Sequence, residues 1–97
     1  MIEIKEYSTK TEIPERELFG RSRIPDITLA REAYWIYLNK IQKISMKQIG
    51  KEFGRNQSTI SSGIKTIREL GEVRYSKIKK YINILKISDD FFITRKK

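Results

Sequence analysis

Ninety-seven residues with a formal charge of +9, no cysteine and no histidine make one small domain, and they remove disulfides, thiolate metal sites and the commonest general base together. Hydrophobic residues make up 38% and charged residues 34%, a globular balance, and no run nears the roughly 18 to 20 apolar residues of a membrane span. The chain is expected to be soluble and cytoplasmic, with no signal peptide in MIEIKEYSTK, and to be a non-enzyme without cofactor, metal, small-molecule substrate or membrane partner.

Charge is unevenly placed. Residues 1–44 carry 8 basic and 7 acidic side chains, whereas residues 45–97 carry 13 and 5. An excess gathered in one half points to a polyanion, with nucleic acid ahead of a membrane surface.

In chain order, residues 1–19 read as an N-terminal arm or short helix: Ile2, Ile4 and Tyr7 are the apolar anchors of an otherwise polar start. TEIPEREL then predicts a brief helical turn, because Pro14 suits a first helical position and Glu15 and Glu17 suit the positive end of a helix dipole; Gly20 ends it. GRSRIP, residues 20–25, is a basic loop closed by proline. Asp26 is the expected N-cap of a helix from Ile27 to Gln42, with Ala30, Ala33, Tyr37, Ile41 and Ile44 on one stripe. Trp35, Ile36 and Leu38 widen that stripe until little polar face remains, so this is the central helix, and its aromatic residues read as core rather than as a base-stacking site.

Ser45 with Gln48 predicts a capping box, so the next helix starts at residue 46 and stops at Gly54, with Ile49 and Phe53 facing the core. Asn56 caps a following helix from 57 to about 70. Its Ile60, Ile64, Ile67 and Leu70 fall in one narrow sector at a helical repeat, and Ser58, Ser61, Ser62, Lys65 and Glu69 lie opposite. Gly71 is a stop. Beyond it Tyr75, Ile78, Ile82 and Leu85 predict a basic amphipathic helix over 74–87, whose spacing fits better than the alternation of a β-wing over 72–87; residues 88–97 read as a tail.

Two short helices across a tight glycine turn, the second apolar inside and small and polar outside, describe a helix-turn-helix over 45–70 within a domain of residues 20–87. The expected fold is therefore all-α, a helix-turn-helix bundle of four to five helices. Gly50 sits where the two helices cross, with room for a Cβ at most, and Ile60 anchors the second helix on the core. Asn56, Gln57, Ser58 and Thr59 at its start, with Ser61, Ser62 and Lys65 further along, then face a major groove, where small hydroxyls allow close approach and a Gln can pair with adenine. Lys43, Lys47, Lys51 and Arg55 are the expected phosphate contacts around that surface.

From Glu15 to Leu70 the sequence resembles the C-terminal DNA-binding domain of the bacterial replication initiator DnaA, on GRSR, LARE and SMKQIGKEFGR followed by the Ser/Thr-rich helix. The family shows Phe-Gly-Gly-Arg-Asp-His-Thr-Thr where this chain has Phe53, Gly54, Arg55, Asn56, Gln57, Ser58 and Thr59, one glycine fewer. That segment reads bases in the family, so the resemblance implies base reading here with a different target. It also implies that Arg21 or Arg23 enters a minor groove, although Ile24 and Pro25 stand where the family has basic residues. The initiator's ATPase part has no counterpart, since no Gly-x-x-x-x-Gly-Lys-Ser/Thr loop occurs. Similar modules occur at the C-terminus of some REP-associated tyrosine transposases, whose histidine pair this chain lacks. The function expected is non-catalytic, sequence-specific binding of double-stranded DNA in replication, transposition or regulation. The alternative is a protein-interaction domain of the same fold that docks an acidic partner on its last helix.

Overall fold

The computed structural model describes residues 2–69 and 72–88. Within them the chain is all-α: α1 (Ile4–Thr11), α2 (Glu15–Phe19), α3 (Pro25–Ile36) running into a π-helical turn (Tyr37–Ile41), α4 (Met46–Phe53), α5 (Gln57–Arg68) and α6 (Glu72–Leu85). Leu70, the stop at Gly71, the side chain of Tyr75 and the tail from residue 89 on lie outside the described residues. No helix among the described residues is long and apolar enough to cross a membrane.

α3 is the hub. Leu29, Ala30, Ala33, Tyr34, Trp35 and Ile36 are buried, and α2, α5 and α6 all pack on it. The helix starts two residues before the expected Ile27. Pro25 takes the first position, where its fixed φ is already helical, Ile24 is the N-cap, and Asp26 sits inside the first turn as a favourable charge for the dipole rather than as the cap. Its far end also differs: the α-helix stops at Ile36, and Gln42 N–H donates to the Tyr37 carbonyl at 3.1 Å, an i to i+5 bond. Ala33 to Leu38 are all buried, so no polar face exists from which a local change of helical phase is readable. Lys43 then turns the chain with φ 62°, and Ile44 N–H closes onto the Leu38 carbonyl at 2.9 Å.

The N-terminal segment is helical, and tyrosines hold it. Tyr7 is fully buried, its hydroxyl donates to the Ala30 carbonyl at 2.8 Å, and its ring stacks on Tyr34 at 5.0 Å. The Tyr34 hydroxyl in turn donates to the Ile2 carbonyl, and Ile2 N–H donates to the Tyr37 hydroxyl, each at 2.8 Å. Residues 4–19 thus share the core of the bundle. Pro14 is the N-cap of α2, one position earlier than expected, with its carbonyl accepting from Glu17 and Leu18.

Across α4 and α5 the local signals act as the chain reads. Ser45 Oγ accepts from Gln48 N–H at 3.1 Å, although only half the box forms, because the Gln48 amide turns to Glu52. Gly54 takes the left-handed conformation at φ 65°, and Arg55 N–H donates to the Gly50 carbonyl at 2.8 Å. Asn56 Oδ1 accepts from Thr59 N–H at 2.9 Å and starts α5. Gly50 is tighter than expected: a Cβ there would lie 2.5 Å from the Arg55 carbonyl oxygen, so the turn packs backbone on backbone. α6 is helical, not a β-wing, and buries Ile78, Tyr81, Ile82 and Leu85 against α3 and α1.

Gly50→Ala therefore has to push the α4–α5 turn apart, and we expect it to cost about 2 kcal/mol or more. Gly54→Ala meets nothing within 4 Å and carries only the left-handed backbone penalty, about 1 kcal/mol. Urea midpoints of the two variants check this; a larger loss for Gly54→Ala would place the constraint at Gly54 instead. The buried phenols make a second expectation. Burial, with Tyr81 and Tyr34 adding to it, pushes the pKa of Tyr7 well above the ordinary tyrosine value, and burial does the same to Tyr34. The unfolded chain ionises at the ordinary value while the fold does not, so their contribution is complete below pH about 10 and is lost as pH rises beyond it. Stability should fall progressively as the pH rises past about 10, with tyrosinate absorbance from these two rings growing together with loss of the helical signal. Full ionisation before unfolding would show that they are not sealed.

Candidate nucleic-acid interface

The elements that present the outward residues meet at the end of α2. A helix of five residues cannot satisfy its own last carbonyls by i to i+4 bonds. Two arginines from other elements take them up. Arg31 of α3, 5% exposed, donates from Nη2 to the Glu17 carbonyl (2.9 Å), from Nε to Leu18 (3.0 Å) and from Nη1 to Ser22 (3.2 Å). Arg55, in the α4–α5 turn, donates to the Phe19 carbonyl (3.2 Å), to Phe53 (2.8 Å) and to Gly20, and stands 5.3 Å over the Trp35 ring. Burial lowers the pKa of both guanidiniums; for Arg55 the charges of Arg31 and Arg21 lower it further, while Glu32 and Glu17 partly offset the effect at Arg31. Both remain cations in any ordinary solution.

Arg21 closes the arrangement from the other side, with Nη2 donating to the Gly54 carbonyl at 3.0 Å. The basic loop and the helix-turn-helix turn are thus tied twice, once in each direction. Arg23 is exposed and makes no hydrogen bond or ion pair among the described residues.

α5 stands between two grooves. On the α3 side a groove of about 400 Å³ is lined by Arg55, Ser58, Thr59, Ser62 and Thr66 together with Trp35 and the side chains of Arg31 and Glu32. On the other side one of about 210 Å³ is lined by Ser61, Lys65 and Arg68 with Lys40 and Met46. Between them the helix is a ridge whose crest is Ser58, Ser62 and Lys65, while Ile60, Gly63, Ile64 and Ile67 face inward. Gly63 is what lets α5 lie so low on α3: a Cβ there would be 2.6 Å from the Trp35 ring.

Asn56 and Ser58 are partly engaged locally, since Ser58 Oγ donates to the same Asn56 Oδ1 that caps the helix, at 2.8 Å. Gln57 is exposed and its amide has no partner among the described residues, so it is not the cap. Thr59, Ser61, Ser62 and Lys65 are exposed as well. Of the remaining lysines, Lys43 stands in the left-handed turn before α4, and Lys47 and Lys51 are one turn apart on its exposed side; all three lie outside both grooves and in no ion pair among the described residues.

A ridge of small side chains that follows a glycine turn, with a basic loop fastened beside it, is the geometry of a DNA-binding helix-turn-helix, and residues 4–67 match the model of the bacterial DnaA protein helix-turn-helix. The chain belongs to that family. It is also 30% identical over 70 residues to the chromosomal replication initiator protein DnaA of Oleidesulfovibrio alaskensis, an alignment that covers 71% of this chain and 15% of that protein. No solved structure matches the chain. The family and this relative are those of the initiator. As a member of this family the chain is a DNA-binding module, all-α as its sequence reads.

Sequence reasoning missed two residues that shape this surface. Arg31 was legible as a cation inside an apolar run, LAREAYWI, which calls for buried acceptors. Gly63 falls at helical spacing between Ile60 and Ile67, in the inward sector, where a missing side chain marks a close approach. Arg31→Met keeps much of the apolar stem but leaves the Glu17, Leu18 and Ser22 carbonyls without their donor. We expect a loss of about 2 to 3 kcal/mol in denaturant titrations, and a change within about 0.5 kcal/mol would mean that water replaces the guanidinium there.

Proposed function

We propose that this chain is a non-catalytic, sequence-specific reader of double-stranded DNA that works in the cytoplasm on the chromosome, with α5 in a major groove and the loop of residues 20–25 against the flanking backbone and minor groove. The observation that carries this reading is the ridge of α5. Its cap is supplied by Asn56, which leaves the Gln57 amide at the leading end without a partner among the described residues, and the side chains behind it are short enough for base edges to reach the backbone. A major groove about 12 Å wide accepts a helix of this kind.

Roles divide by chemistry. Gln57, Ser58, Thr59, Ser61 and Ser62 are the base-reading set, with Gln57 the best placed for a paired contact to adenine and Asn56 offering the amide nitrogen that capping does not use. Lys43, Lys47, Lys51 and Lys65 are phosphate contacts that fix register. Arg21 and Arg23 flank the site. Similarity to a replication initiator supports a role at sites of that kind, with a target of its own because the reading residues differ.

Affinity for random duplex should fall with salt at a log-log slope of several units. Gln57→Ala should cost about 1 to 3 kcal/mol on the selected site and little on scrambled DNA, whereas Lys47→Ala should weaken both and lower the salt slope by about one. Selection on random duplexes followed by titration of both variants tests the assignment. An equal loss on the two DNAs for Gln57→Ala would remove it from the reading set, and a flat salt dependence would sink the whole reading.

A further inference from the structure

Resting on the DNA-binding reading, we propose that Arg55 is a positioning residue and not a phosphate contact: it fixes the offset between the basic loop and α5, so that the two meet one duplex as a single rigid unit.

The geometry carries this. Arg55 joins three segments through one planar group: Phe19 and Gly20 where the loop begins, Phe53 where α4 ends, and the face of Trp35 on α3. It lies immediately before Asn56, the cap of α5, so its hold on Gly20 is a hold on the start of the reading helix. Arg21 returns a bond from the loop to Gly54, and the two arginines close a ring of chain between loop and turn. The loop has no regular structure between Gly20 and Ile24, and Arg21, Arg23 and Ile24 are exposed, so little apolar burial orders it. A guanidinium directed at three carbonyls and stacked on a ring has a fixed fork, which a lysine ammonium does not reproduce. By contrast Lys47, Lys51 and Lys65 have no such internal partners among the described residues and are free to track phosphates.

The test is a double-mutant cycle on the duplex obtained by selection. Arg55→Ala and Arg55→Lys are each made in the parent and in the Arg21→Ala/Arg23→Ala background, with helical signal and thermal midpoint recorded for every protein. If Arg55 acts through the loop, both substitutions weaken parental binding roughly tenfold and relax the preference at flanking bases, while discrimination at the bases read by α5 persists. In the Arg21→Ala/Arg23→Ala background the same substitutions change affinity less than about twofold. Additive losses in the two backgrounds, or Arg55→Lys binding like the parent, would overturn the proposal in favour of a direct phosphate contact. Equal loss of discrimination at flank and centre would overturn it in favour of a general structural role. Arg55→Lys keeps the charge and most of the stem, so it carries the comparison if Arg55→Ala does not fold. A parent protein that fails to distinguish selected from scrambled duplex would instead sink the functional reading itself.

Discussion

The end of α2 is where this small bundle is fastened, and arginine does the fastening. Five residues are far too few to make a stable helix in isolation, and the last carbonyls of such a helix have no partners of their own. Leu18 is driven inward by the hydrophobic effect and takes polar backbone with it. Arg31 and Arg55 then resolve the conflict from opposite sides, one from the central helix and one from the α4–α5 turn. Because charged donors make the stronger hydrogen bonds, and because the carbonyl end of a helix favours a cation, each guanidinium gains enough to offset its partial burial. Loop, turn and central helix are placed relative to one another by these bonds.

The same logic links the inner face of α5 to its outer one. Gly63 lets the helix backbone rest on the Trp35 ring, and that ring is also the surface over which Arg55 lies. Phe53 meets Trp35 edge to face at 5.9 Å and packs on Phe19 at 4.7 Å, so the first helix of the motif, the end of α2 and the central helix share one aromatic cluster. A helix that sits this deep presents a low ridge with grooves along both sides, and the short side chains on its crest keep it slim. Close approach inside and close approach outside therefore come from the same choice of small residues.

The turn also explains how the family's pattern survives a shortened glycine pair. One left-handed residue, Gly54, reverses the chain, and Arg55 N–H reaches back to Gly50 because no Cβ stands between them. A second glycine is not needed for the reversal, and Arg55 reaches its carbonyls across a turn of only Gly54, Arg55 and Asn56. Surface charge is a separate layer: among the described residues Lys43, Lys47, Lys51 and Lys65 stand clear of internal partners, which suits contacts that carry affinity but no sequence information.

What the sequence determined by itself was local. Ser45, Gly54 and Asn56 set the limits of the two motif helices through hydrogen bonds that span at most five residues, and the inward isoleucines of α5 follow from helical repeat alone. The outward residues were legible for the same reason, since whatever is not on the apolar sector faces solvent. Where the local pattern lost contrast, only the tertiary structure decided. The all-apolar stretch from Ala33 to Leu38 hides the π turn, and the polar start of the chain left arm and helix equally open until Tyr7 and Tyr34 found the backbone of distant segments. Arginine shows the division most sharply. Arg21, Arg23 and Arg55 read alike in a list of charges, yet among the described residues Arg55 bonds to carbonyls up to 36 residues away, Arg21 reaches one 33 residues away, and Arg23 reaches none. A guanidinium has five donors and a long stem, so its partners are set by which carbonyls the fold leaves unsatisfied within reach, and that is a property of three-dimensional packing.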